Sequence, residues 1–149
     1  MLIKTVKPEE ATGELADLYA QIKAIRGRVP MSAQLWSTSP ELYKQQLSFI
    51  GYYMGHKTLS APLLAAIRIL VSTSTDCVYC IDFNSAMMVN MFGWNVEDVA
   101  DLKQNGKSAK LSEKENAILA FVIKSVKNCK KADEAELNAL RGMGWEDGD

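Results

Sequence analysis

Apolar residues recur every three to four positions along most of this chain, and nowhere do they alternate with polar ones over a useful length. Leu15, Leu18, Tyr19, Ile22 and Ile25 form one such stripe, and Leu63, Leu64, Ile67, Leu70 and Val71 another. Leu42, Leu47, Phe49, Ile50 and Tyr53 make a broader one, and Ala117 to Val126 is almost wholly apolar. That spacing puts side chains on one face of a helix, whereas a strand needs a period of two. Helix punctuation agrees with it. "KPEE" and "SPEL" place Pro at a first helical position with Glu following, and Ser39 is the expected N-cap of the second. "LSEKEN" offers a capping box, Ser112 with Glu115. "QNGKS" lies between helical patterns, so its Asn-Gly is no hairpin turn. The expected fold is all-α, about six to eight helices in one domain spanning residues 1–149.

Bulk properties narrow the function classes. The chain has 149 residues, 48% hydrophobic and 23% charged, which suits a soluble domain with a real core. Its net charge of −1, without a basic run, argues against nucleic-acid binding. The first residues, "MLIKTVKPEE", contain no secretory h-region, and no apolar stretch has the length of a membrane span. Three cysteines in such a chain point to redox or metal chemistry rather than a disulfide scaffold, and a cytoplasmic location is expected.

Two segments resemble one another. "LSAPLLAAIRILVSTSTDC", Leu59 to Cys77, aligns without gaps on "LSEKENAILAFVIKSVKNC", Leu111 to Cys129. "FGWNVED" at Phe92 has an echo in "MGWEDGD" at Met143. An internal repeat over 59–105 and 111–149 is therefore expected, with the second copy cut short. The first copy continues past its Gly-Trp into a helical "NVEDVADLKQ", and the pattern predicts a further helix after the second. Apolar surface left by its lack would be covered by a partner subunit.

The chemistry-bearing motif is "DCVYCIDFN". Asp76 is the expected N-cap, placing Cys77 in the first turn of a helix and Cys80 one turn in. Unpaired N–H groups and the helix dipole at that end favour a thiolate, and the dipole alone favours Cys77 as the more acidic thiol. A Cys-x-x-Cys pair there can attack and then close its own disulfide. Two other readings stay open: a buried, inert pair, and a zinc site completed by Cys129, His56 or an acid. Cys129, beside lysines, is expected to be packed or incidental. Asn84 lies one turn beyond Cys80, where a base could handle its proton, but an amide does not titrate. His56, the sole histidine, is expected in a loop, and Tyr79 could offer a hydroxyl; both are auxiliary candidates. Tyr52, Tyr53, Phe83, Met87 and Met88 are core or the wall of an apolar pocket.

"PEEATGELADLYAQI", "LSAPLLAAIRILV", "CVYC" and the helical layout resemble the carboxymuconolactone decarboxylase-like superfamily, and more closely its alkylhydroperoxidase D-like and peroxidase-related branch. The resemblance implies an all-helical homo-oligomer, trimer or hexamer, with thiol peroxidase chemistry and neither metal nor other cofactor. It assigns Cys80 as the peroxide-attacking residue and Cys77 as the resolving one. A lipoylated or thioredoxin-like dithiol protein would supply electrons, and the substrate would be a small hydroperoxide or disulfide. Such peroxidases carry a Glu in the preceding helix and a His four residues after the second cysteine; here those relay positions are Ala65 and Asn84. General acid–base help is commonly worth about a hundredfold to ten-thousandfold. The expected function is thus a thiol–disulfide oxidoreductase with weakened or altered peroxidase activity. The alternative is a non-catalytic oligomeric binding or assembly protein on the same scaffold. A decarboxylase would want several basic groups and histidines, and only His56 is present.

Overall fold

A computed structural model describes residues 2–149. Among them are eight α-helices, three short 3-10 turns and no strand, in agreement with the helical periodicity. The chain separates into two compact units, one running to Gly55 and the other from His56 to Asp149. No helix among the described residues is long and apolar enough to cross a membrane.

The first unit holds α1 (Gly13–Arg26), α2 (Met31–Leu35) and α3 (Pro40–Met54). Leu15, Leu18, Tyr19 and Ile22 bury the stripe of α1 against Ala33 and Tyr43. Tyr19 also donates from its hydroxyl to the Val6 carbonyl at 2.9 Å, satisfying its polar end. Pro8 opens a 3-10 turn, Pro8–Glu10, and α1 begins only at Gly13. Ile25 is 77% exposed because it falls in the last turn of α1, just before the left-handed Gly27 cap. Ser39 and Pro40 start α3 as expected, but Tyr43 is its one buried residue, with Leu42, Phe49 and Tyr52 exposed.

The second unit holds α4 (Ala61–Ser74), α5 (Val78–Phe92), α6 (Val96–Asn105), α7 (Glu113–Lys127) and α8 (Glu134–Gly142). Helices α4 and α5 pack along each other, and α4 also packs on α7. Leu63, Ala65, Ala66, Ile69, Met88, Leu102 and Leu119 are fully inaccessible and form its core. The two segments aligned in sequence begin alike. Ser60 caps α4 by accepting from Leu63 N, and Ser112 caps α7 by accepting from Glu115 N, each at 3.2 Å. Leu59 and Leu111 are buried immediately before those caps. After α5 and α8, Gly93 and Gly144 take φ of 71° and 83°, and each turns the chain so that a buried tryptophan follows, Trp94 or Trp145. Ser60 Oγ also donates to the Glu115 carboxylate, so one side chain joins the starts of α4 and α7.

Candidate functional site

The cysteine motif sits where α4 ends and α5 begins. Asp76 does not cap α5, contrary to the sequence expectation; it lies one residue earlier, at φ 51°. There it closes α4: Cys77 N donates to the Ser72 carbonyl at 3.1 Å and Asp76 N to that of Thr73 at 3.5 Å. These are the two bonds of a Schellman ending, which needs a left-handed residue at this position, usually Gly. Asp is among the few side chains that tolerate that conformation. Cys77 becomes the N-cap of α5, its carbonyl accepting from Ile81 N at 3.0 Å, and Cys80 is the third helical residue. Both sulfurs therefore stand at the positive end of α5.

Cys77 and Cys80 are joined as a disulfide with their Cα atoms 5.4 Å apart. Both are half-buried, and the residues between them are open to solvent, Val78 at 67% and Tyr79 at 48%. The Tyr79 ring stacks on that of Phe83, centroids 6.0 Å apart and planes 18° from parallel.

Asn84 is buried at 6% exposure, and its Nδ2 donates to the Cys80 carbonyl at 2.8 Å. Ala65 is fully buried on α4. Neither side chain can gain or lose a proton in the working pH range. His56 lies in the expected loop, before α4, where its Nδ1 accepts from Thr58 N and Leu59 N at 3.4 Å and stands 4.0 Å from an Asp149 carboxylate oxygen. That is the opposite end of α4 from the disulfide. Fourteen residues of helix at 1.5 Å each separate the two by about 20 Å, so the structure does not bring His56 to the cysteines.

Cys129 is a free, exposed thiol in the turn after α7, not a packed one. No cluster of three His, Cys, Asp or Glu that could hold a metal occurs among the described residues. Met87 and Met88 are core residues, while Tyr52 and Tyr53 belong to the first unit and meet edge to face. An open groove of about 260 Å³ between α7 and α8 and another of about 490 Å³ along α4, α6 and α7 are lined by neither cysteine.

The charge of Glu115 is also set by its surroundings. Burial opposes ionisation, but hydrogen bonds from Ser60 and from the backbone and hydroxyl of Ser112 outweigh it and hold the carboxyl below its ordinary range. In the first unit burial is the main cause that pushes the Tyr43 phenol up to about 12, with a smaller push from Tyr19 and an opposing pull from Arg26.

No protein-family model matches the chain, and neither does any curated protein. Solved structures do match. An uncharacterised peroxidase-related protein with an alkylhydroperoxidase AhpD core, from Ralstonia eutropha JMP134, superimposes with a TM-score of 0.83 at 17% identity, over 99% of this chain and 77% of its own. An uncharacterised peroxidase-related protein from Silicibacter sp. TM1040 gives 0.81 at 20% identity, over 99% and 81%. The fold is thus that of the alkylhydroperoxidase D-like, peroxidase-related proteins.

Proposed function

We propose that the protein is a thiol–disulfide oxidoreductase that uses Cys80 and Cys77, with slow or altered peroxidase activity. The observation that carries this reading is the paired Cys77–Cys80 at the open N-terminus of α5, on a fold shared with peroxidase-related proteins. Helix N-termini stabilise thiolates, and partial exposure admits a small reactant.

In the proposed cycle the Cys80 thiolate attacks the outer oxygen of a hydroperoxide. The O–O bond breaks, an alcohol leaves with a proton, and Cys80 becomes a sulfenic acid. Cys77 then attacks the Cys80 sulfur, an S–S bond forms and water leaves. An external dithiol, lipoyl or thioredoxin-like, reduces the disulfide and is itself oxidised. Ala65 and Asn84 supply no proton for the leaving oxygen, which is why the peroxide step is expected to be slow while exchange with disulfides persists. A homo-oligomeric assembly is part of the same proposal.

The two non-titrating residues also favour a second reading, a non-catalytic assembly or binding scaffold that retains the pair. Thiol titration with peroxide and disulfide turnover, on the protein and on Cys80→Ser, separates them. Turnover lost in Cys80→Ser supports the enzyme; inert thiols and no turnover leave the scaffold.

A further inference from the structure

We infer that the groove along α4, α6 and α7 is a binding site for a small amphipathic organic anion, a carboxylate or phosphate ester with a short apolar body. The inference is independent of the thiol chemistry proposed above, since neither cysteine lines this groove. Its volume of about 490 Å³ lies within the range of small-molecule sites. Two lysines from different helices line it, Lys103 near the end of α6 and Lys127 at the end of α7. Among the described residues no Asp or Glu does so. Leu70, Ala120 and Ile123 supply an apolar side. Two cations beside apolar surface suit a ligand with a negative head and a hydrocarbon body, and they disfavour a cation.

The carboxylates that could neutralise these two lysines are absent or engaged elsewhere. Helix α4 carries no Asp or Glu. The acids of α7, Glu113 and Glu115, stand in its first turn, about 20 Å of helix away from Lys127. On α6, Asp98 pairs with Lys110 at 3.4 Å, and Asp101 accepts from the Asn105 amide at 2.6 Å. Among the described residues neither Lys103 nor Lys127 has an ion-pair partner, and neither ammonium hydrogen-bonds to a helix-terminal carbonyl. The groove between α7 and α8 differs in this respect, because its lysine, Lys124, is already paired with Glu136.

Hydroxyls at the end of α4 narrow which groups can hold the head. Ser74 Oγ donates to the Val71 carbonyl at 2.6 Å, and Thr73 Oγ1 donates to that of Ile69 at 2.8 Å. Their protons are committed, so an anion is held by the two ammonium groups and the Gln104 amide, all on exposed side chains. Exposed charges of this kind give modest affinity that falls as salt rises.

The test titrates the full-length protein with hexanoate, its neutral counterpart hexanamide, and inorganic phosphate, following backbone amide resonances. Hexanoate should shift the amides of Leu70, Gly106 and Ile123 saturably, with hexanamide and phosphate each binding more weakly. Removing both cations, Lys103→Gln with Lys127→Gln, should weaken hexanoate about three- to thirtyfold, the worth of two exposed charge pairs. Lys103→Arg with Lys127→Arg should retain it, and so should Lys57→Gln, in the loop before the opposite end of α4. If the two lysines serve only to offset helix dipoles, the double glutamine variant loses stability and keeps its hexanoate affinity, which overturns the site. Equal binding of hexanoate and either control also overturns it, as does a lack of saturable shifts at these amides.

Discussion

The Asn84 amide donates to the carbonyl of Cys80, 2.8 Å away, from a site that is 6% exposed. The residue one turn beyond the second cysteine is thereby tied to the backbone, and it has no proton to exchange. An imidazole there would stand beside the thiol in a water-poor setting. Asn84→His is expected to raise peroxide turnover about tenfold or more, with a new titration near the pKa of the introduced group. Peroxide consumption followed from pH 5 to 9, on the wild type and the variant, checks both the gain and its pH profile; equal rates would show that proton delivery does not limit the reaction.

The two cysteines should differ in what they accumulate. With peroxide, Cys77→Ser is expected to hold a sulfenic acid on Cys80, one carbon-nucleophile adduct per chain by intact mass, whereas Cys80→Ser should consume no peroxide. Helix position alone gives Cys77, the N-cap, the stronger claim to the thiolate. An adduct found on Cys77 of Cys80→Ser, and none on Cys80 of Cys77→Ser, would reverse the assigned roles.

Asp76 occupies a left-handed conformation in which glycine is unstrained. Asp76→Gly is expected to stabilise the protein by ~0.5–1 kcal/mol, read as a higher urea midpoint at unchanged slope. Asp76→Ala, which keeps a Cβ and loses the side-chain carboxylate, should destabilise it instead. A lower midpoint for the glycine variant would mean that the Asp76 carboxylate contributes more than the backbone gains.

Glu115 gives a pH signature of defined sign. Its carboxyl is held low in the folded chain, chiefly by Ser60 and Ser112 against the opposing effect of burial. The stability it contributes is therefore present above the ordinary Glu pKa, about 4.3, and is lost as pH falls through the lower folded value. Glu115→Gln should flatten the loss of stability below about pH 4.5, and Ser60→Ala, which also removes the α4 cap, should cost ~1–2 kcal/mol at neutral pH. Denaturant unfolding from pH 3 to 7 measures both.

Tyr43 acts at the other end of the scale. Its phenol is pushed up to about 12, so the stability it contributes is complete below the ordinary tyrosine value, near 10, and disappears as pH rises through 12. The first unit should lose structure over that interval, and Tyr43→Phe should remove most of the slope. Circular dichroism against pH, with tyrosine ionisation followed in the ultraviolet, tests whether the two events coincide.

Much of the architecture was legible in residue spacing because it is local. Ser60, Ser112 and Glu115 are capping positions defined within four residues, and the α1 stripe through Leu15, Leu18, Tyr19 and Ile22 went inward as its period required. What spacing could not supply was decided by partners distant in sequence or by competing local uses of one residue type. Asp favours both N-caps and left-handed turns, and the Schellman closure of α4 settled which role Asp76 took. The Ser60–Glu115 bond spans 55 residues, so no window of sequence contains it. The broad apolar stripe of α3 gave no sign that only Tyr43 would be buried. Likewise Cys129, which aligns with Cys77 in sequence, has neither a cysteine partner nor a packed setting. At the site itself, the cysteine pair could be placed from sequence, but the stacking of Tyr79 on Phe83 could not. Tyr79 and Phe83 at helical spacing read equally well as core.

The glycine turns after α5 and α8 each deliver a tryptophan into the second unit, Trp94 and Trp145, while Trp36 lies against Tyr43 in the first. Trp145 has an ammonium over its ring, that of Lys114 at 4.1 Å. The chain thus carries its own set of optical reporters, distributed over both units and over matching corners of the second. Emission from variants that keep one indole at a time can follow each corner separately, without a label.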